Sequence, residues 1–358
     1  MDVTRGRVDS RRRVASEFEL IEAFIAPFRP LRSPRGPGDD AAVLPPSRGL
    51  TEVVTTDSVV EGVHFTRKTF SFAQVGTKSL AVNLSDLAAM GAKPQWGLCS
   101  LFLPPGFSKR DVVALGRGAA AVARTYGLTL AGGNISRAPM LAVTWTVGGF
   151  CRRPLLRSGA RPGDLIYVGK ALGDAYGGYH ALTAPALRLT RSADQSLTHS
   201  PADSTDWLSR TMIPPKRLLD AQRTPIPQVR LGLIAARFAS AAIDISDGLL
   251  QDLSHLCHSS GVGASLEAAS IPLSRDLKRF AGPRALEWAL RGGEDYALLV
   301  TVPPRKVHAF ERSCAAAKQP LFRVGRTTKL HGLDLDGERI RGPGGFLHFT
   351  PKRAVSRL

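Results

Sequence analysis

No apolar run in this 358-residue chain approaches the roughly 18–20 residues that a membrane span needs, so no spanning helix is expected. No apolar segment follows the basic start either, which argues against a secretory signal. Cysteine is scarce: Cys99, Cys151, Cys257 and Cys314 have no CxxC spacing and no disulfide framework, and a reducing cytoplasm is the expected setting. His255, Cys257 and His258 are neighbours in sequence but fall short of a zinc ligand set. Acidic residues are few, 30 against 48 Lys plus Arg, for a formal net charge of +18. The basic residues form no stripe interleaved with aromatics, so nucleic acid is not the expected ligand and a general attraction to small polyanions is. Also missing are the GxxxxGK phosphate loop, a kinase GxGxxG with its HRD partner, and a GxSxG nucleophile elbow. Any phosphate chemistry has to rest on metal ions.

What remains is a chain with 43% hydrophobic residues and with its 35 glycines and 25 prolines spread along its length, the composition of a folded α/β protein of two domains. A basic flexible arm is expected over residues 1–16, an N-terminal α/β domain over 17–150 and a second α/β domain over 151–358, with CRRPLLRSGARPGD at the boundary. The stretch from Gly76 to Pro94 is apolar around most of a helical cylinder, with Ser79, Asn83, Asp86 and Met90 on one stripe. A buried carboxylate there requires a cation, a basic partner or a proton.

Further acidic segments accompany that helix. GDDAAVL holds Asp39 and Asp40, which suit either a turn or a site, and Glu52 to Val60 is a valine-rich strand with Thr55, Thr56 and Asp57 at its centre. Oxygen donors of this kind suit a hard cation such as Mg²⁺, which keeps waters and substrate phosphates in its other positions. IDISDGLLQDL runs an apolar strand into Asp244, Ser246 and Asp247 and then a helix, and GGEDYALL feeds Glu294 and Asp295 into a strand. A strand ending at Gly132 and Gly133, with Asn134, Ser136 and Arg137 after it, offers a close backbone approach to a phosphate.

GDDAAVL, TTDSVVEGVHF, NLSDLAAMGAKP, RSGARPGD, IDISDGLLQDL and GGEDYALL, in this order, closely resemble the thiamine-monophosphate kinase family of the aminoimidazole ribonucleotide synthetase-like superfamily. The resemblance implies a two-domain α/β (α+β) fold whose N-terminal strands form a shared barrel in a homodimer. It also implies transfer of the ATP γ-phosphoryl group to thiamine monophosphate. Carried over position by position, Asp40, Thr55, Thr56, Asp57, Asp86, Asn134, Asp244 and Asp247 fall on metal positions, with Asp57, Asp86 and Asp244 central to catalysis. Gly133, Asn134, Arg157 and Ser246 fall on ATP contacts, and His64, Glu294 and Phe346 on contacts to thiamine monophosphate. One position departs from the family: GGNIS stands where GGDTT is usual, so Asn134 replaces a metal-binding aspartate. Asn keeps one carbonyl oxygen but loses a charge. That departure leaves open a weakened or non-catalytic binding paralogue, beside a related synthetase with another acceptor.

Overall fold

The computed structural model describes residues 42–43, 49–183, 214–340 and 345. Asp40, Phe346, the basic arm, the helix expected near Glu17 and the polar stretch after Ala184 lie outside the described residues. In chain order the first part contains β1 (Ala42–Val43), β2 (Thr51–Val60), α1 (Phe72–Ala89), β3 (Lys93–Leu103), α2 (Lys109–Tyr126), β4 (Thr129–Arg137) and β5 (Ala142–Cys151). The second contains β6 (Leu165–Val168), α3 (Asp174–Thr183), α4 (Lys216–Arg223), α5 (Val229–Ala235), β7 (Ala241–Ile245), α6 (Leu249–Ser260) and β8 (Gly263–Leu266). It continues with α7 (Arg275–Ala281), α8 (Ala285–Arg291), β9 (Ala297–Val302), α9 (Val307–Ala316), β10 (Phe322–Thr328), β11 (Gly332–Leu335) and β12 (Glu338–Arg339).

The first sheet has the order β1-β2-β5-β3-β4, and the second β12-β11-β8-β10-β6-β9-β7. Strand β2 alternates, with Val53, Thr55 and Val59 buried on one face. That face lies under α1, against which α2 packs in turn, and Val75, Leu84, Leu87, Leu115 and Val122 of the two helices join Val53, Val59 and Val147 in one core. Ser71 starts α1 with a capping box: its hydroxyl accepts from the Gln74 N–H, and the Gln74 side chain accepts from the Ser71 N–H. A helix apolar all round must be covered all round. Helix α1 is, since it meets β2 and β5 on one side, α2 on another, and α5, β7 and β9 of the second part on a third.

The four cysteines are free, as their spacing suggests. Burial pushes the Cys99, Cys151 and Cys314 thiols up to about 11 and the Cys257 thiol to about 12, so none is a ready nucleophile. Two expectations are corrected. The helix expected from Gly76 to Pro94 runs instead over Phe72–Ala89, with Met90 as its cap and Gly91, at φ 63°, turning the chain so that Lys93 and Pro94 already belong to β3. The strand expected to end at Gly132 and Gly133 runs on to Arg137, because β3 supplies a parallel partner through Leu103: Gly132 pairs with Leu98 and Gly133 with Cys99, after a bulge that leaves Ala131 unpaired. Among the described residues no helix is long and apolar enough to cross a membrane.

Candidate functional site

Helix α1 carries the centre of the site. Its polar stripe faces β2 and β5: Ser79 accepts from Trp145 Nε1 at 3.1 Å, and Asn83 Nδ2 donates to the Ser79 carbonyl at 2.9 Å and to that of Asp57 at 3.4 Å. Thr55 Oγ1 donates to Asp86 Oδ2 at 2.8 Å, which fixes the carboxylate that the sequence made suspicious. The next residue of α1 toward its start, Ser85, donates to Asp244 Oδ2 at 2.7 Å, so α1 and strand β7 meet through a serine–carboxylate hydrogen bond beside Asp86.

Beyond Asp244 the chain turns through Ser246, Asp247 and Gly248 into α6. Asp252 shapes the turn: its Oδ2 accepts the N–H groups of Ser246, Asp247 and Gly248 at 3.0, 3.0 and 3.1 Å. Three donors at the start of α6 are thereby used internally and are not offered to an anion. Gly293 lies so close that an added Cβ would come 2.6 Å from the Ser246 carbonyl oxygen, which lets the Glu294 N–H donate to that oxygen at 2.6 Å. Glu294 and Tyr296 have φ of 68° and 47°, a conformation costing about 1–3 kcal/mol per non-glycine residue. Gly345 packs against the same turn, where a Cβ would come 2.1 Å from the Asp247 carbonyl.

Tyr296 is the point on which the foci converge. Burial, and then the charges of Glu294, Asp57, Asp244 and Asp86, hold its phenol well above the ordinary range and keep it protonated. Its ring packs in the core of the first part although its backbone belongs to the second. No sequence signal singled out Tyr296, Ser85, Asp252 or Lys78. The only hint was a lysine inside an otherwise apolar helix.

Lys78 is 1% exposed and pairs with Glu294 Oε1 at 2.6 Å, while the second carboxylate oxygen of Glu294 accepts from Gln222 Nε2. Its ammonium also donates to the His64 carbonyl at 3.3 Å. The His64 ring accepts the Val60 N–H at Nδ1, 3.0 Å, which assigns the proton of the neutral ring to Nε2.

The structure therefore brings together Thr55, Asp57, Asp86, Asp244, Glu294 and His64, with Ser246 and Asp247 on the adjoining turn. It separates others. Thr56 lies on the opposite face of β2, donating to the Trp145 carbonyl at 2.9 Å and accepting from Thr146 Oγ1 at 3.1 Å. Asp57 pairs with Trp145, Trp145 with Cys99 and Cys99 with Gly133, so Gly133 and Asn134 are three strands away, about 14 Å of sheet. Asn134 Nδ2 donates to Ser136 Oγ at 2.9 Å, and Gly133 lacks room for a Cβ, which would meet the Cys99 carbonyl at 2.0 Å. The Arg157 carbonyl accepts from Ser260 at the far end of α6, a 12-residue helix about 18 Å long. Among the described residues no three His, Cys, Asp or Glu side chains form a closed metal cage.

Residues 38–151 match the AIR synthase related protein N-terminal domain, and residues 161–337 the C-terminal domain. Thiamine-monophosphate kinase of Escherichia coli is 35% identical over 335 residues, 90% of this chain and 95% of that one. The Bacillus subtilis protein of the same name is 33% identical over 294 residues, 81% and 84%. The structure of AaThiL complexed with AMPPCP and TMP superimposes with a TM-score of 0.76 at 29% identity, covering 93% of this chain and 97% of that one. Thiamine-monophosphate kinase of Stenotrophomonas maltophilia gives 0.70 at 37% identity, covering 85% and 91%. With both domain matches in register and relatives above 30% identity along most of its length, the chain belongs to the thiamine-monophosphate kinase family of AIR synthase-related proteins.

Proposed function

We propose that the chain transfers the γ-phosphoryl group of ATP to thiamine monophosphate, giving thiamine diphosphate, by in-line displacement with the help of Mg²⁺. The observation that carries this reading is that α1 gathers carboxylates from both parts of the chain: its own Asp86 is held by Thr55, its Ser85 donates to Asp244, and its Lys78 pairs with Glu294. The names of the relatives and the ligands of the AaThiL complex point the same way.

The donors are all oxygen and mostly anionic, a set that fits Mg²⁺, which binds through one or two carboxylates plus waters and substrate phosphates and needs no closed protein cage. Asp57, Asp86 and Asp244 would hold it, with Asp40, Asp247 and the backbone of Thr56 as further donors. Bound there, the ion would neutralise charge gathering on the transferred phosphoryl group. Thr55 and Ser85 fix the orientations of Asp86 and Asp244 through their hydroxyls. Tyr296, protonated and buried, adds no charge of its own to theirs. The acceptor phosphate is largely ionised near neutral pH, so no side chain has to act as general base. His64, Glu294 and Phe346 are the proposed contacts to the thiamine part. Ser246 and Arg157, at opposite ends of α6, suit an extended nucleotide.

Strand β4 ends the first sheet, with Leu130 and Ile135 60% and 63% exposed. This edge supports a homodimer in which the strands of two copies form a shared barrel and carry Gly133 and Asn134 of one copy toward the site of the other. Free thiols suit a cytoplasmic enzyme. The test is incubation with ATP, thiamine monophosphate and graded Mg²⁺, with thiamine diphosphate separated and quantified; no product at any Mg²⁺ concentration overturns the reading. Asn134 favours one second reading, a weakened binding paralogue, for which ligand binding without turnover is the signature.

A further inference from the structure

Burying an ammonium group is expensive, and a well-packed apolar side chain of similar volume often serves the fold as well or better. Lys78 nevertheless sits in α1 at 1% exposure. Three contacts offset the cost: the ion pair with Glu294 Oε1 at 2.6 Å, the hydrogen bond to the His64 carbonyl at 3.3 Å, and the face of Phe70, whose centroid is 5.4 Å from Nζ. Both polar partners are the described residues proposed to contact the thiamine part, and they come from different parts of the chain. His64 follows β2, whereas Glu294 precedes β9.

Glu294 needs such a tether. Its φ of 68° is one that the loop alone would not hold, and the carboxylate lies beside Tyr296, where Asp57, Asp86 and Asp244 also act. Like charges gathered in one region push one another apart. Lys78 supplies the compensating charge on one oxygen and Gln222 the donor on the other, leaving Glu294 oriented and able to accept from a ligand through its remaining lone pairs.

We infer that Lys78 is a positioning residue for the acceptor pocket: through Glu294 and the His64 backbone it sets the geometry in which thiamine monophosphate is gripped, without touching the nucleotide. This inference rests on the kinase reading given above.

The test compares full-length wild type, Lys78→Met, Glu294→Gln and the double variant. Steady-state rates are measured with each substrate varied in turn, and thiamine monophosphate binding is measured by calorimetry. Lys78→Met should raise the KM for thiamine monophosphate by about tenfold or more, the range of a lost supporting contact, while the KM for ATP stays within about twofold. The double variant should be no worse than Glu294→Gln alone, because the two residues act as one unit. An unchanged acceptor KM, an ATP KM that rises in step, or effects that multiply in the double variant would each overturn the inference while leaving the kinase reading intact. Should Lys78→Met fail to fold, Lys78→Gln is read the same way; failure of both assigns Lys78 to the fold and overturns the proposal. If wild type makes no thiamine diphosphate the kinase reading fails, and the role of Lys78 is then read from calorimetry, where absent wild-type binding of thiamine monophosphate overturns it as well.

Discussion

Ser85 and Asp244 are 159 residues apart in sequence and share a buried hydrogen bond of 2.7 Å that joins α1 to β7. The acceptor is a carboxylate almost fully removed from water, so the bond belongs to the stronger class, and losing the donor leaves a buried charge less well solvated. Ser85→Ala should lower the unfolding free energy by about 1.5–3 kcal/mol, seen as a lower urea midpoint with an unchanged slope. A midpoint equal to wild type would mean that the two parts of the chain do not depend on this contact.

Asp86 is held by Thr55 and, with Asp57 and Asp244, acts on the phenol of Tyr296, so three like charges share this region. Asp86→Asn keeps an oxygen for Thr55 and removes the charge. Turnover should fall by about 10²–10³-fold or more, the scale of a lost electrostatic contact in a reacting site, while urea unfolding is unchanged or shifts to higher concentration. Normal turnover in this variant would reduce α1 to scaffolding.

How much of this was legible beforehand depended on how local the cause was. Helix α1, strand β2 and β6 from Leu165 to Val168 follow from periodicity and from neighbours in sequence, and they were readable. The strand period already implied that Thr55 and Asp57 share one face and Thr56 the other, although adjacency in TTD hides it. Extension of β4 through two glycines depends on pairing with β3, and the partnership of Lys78 with Glu294 on a meeting of two distant segments. No window of sequence contains either. Tyr296 escaped notice because an aromatic residue entering a strand normally signals core, and here it is core and site at once.

Asp295 gives a pH dependence with a definite sign. Burial pushes its carboxyl up from 3.8 to about 7, against the opposing pull of the Gly173 and Ala175 N–H groups and the Lys170 charge. In the folded chain it stays protonated to near neutrality, whereas the unfolded chain releases the proton near the ordinary value. Its contribution to stability is therefore fully present below pH 3.8 and lost as pH rises toward 7, by an amount on the order of 4 kcal/mol. Other carboxylates contribute their own slopes, so the quantity to measure is the difference between wild type and Asp295→Asn. Urea titrations at pH 4.5, 5.5 and 6.5 should find wild type losing stability relative to the variant as pH rises. Parallel curves would mean that the carboxyl ionises in the folded chain as it does in the unfolded one.

Asn134 tests the assembly as well as the metal. It sits on the exposed edge strand β4, donating to Ser136, three strands from the Asp57 row of the same copy. Within one chain, then, Asn134→Asp should change almost nothing: an exposed substitution of this size shifts stability by no more than about 0.5 kcal/mol. In a homodimer whose edges bring β4 of one copy toward β2 of the other, the added carboxylate reaches the shared site and supplies the charge that Asn lacks. The Mg²⁺ concentration for half-maximal turnover should then fall by about tenfold, the scale of one improved ligand. Measuring that concentration for both proteins, together with their sedimentation at the assay concentration, separates the possibilities. A lower half-maximal Mg²⁺ concentration in a dimeric sample supports the shared site. An identical dependence in a dimer means that residue 134 does not reach a metal, and that the family's aspartate has been replaced here without consequence for ion binding.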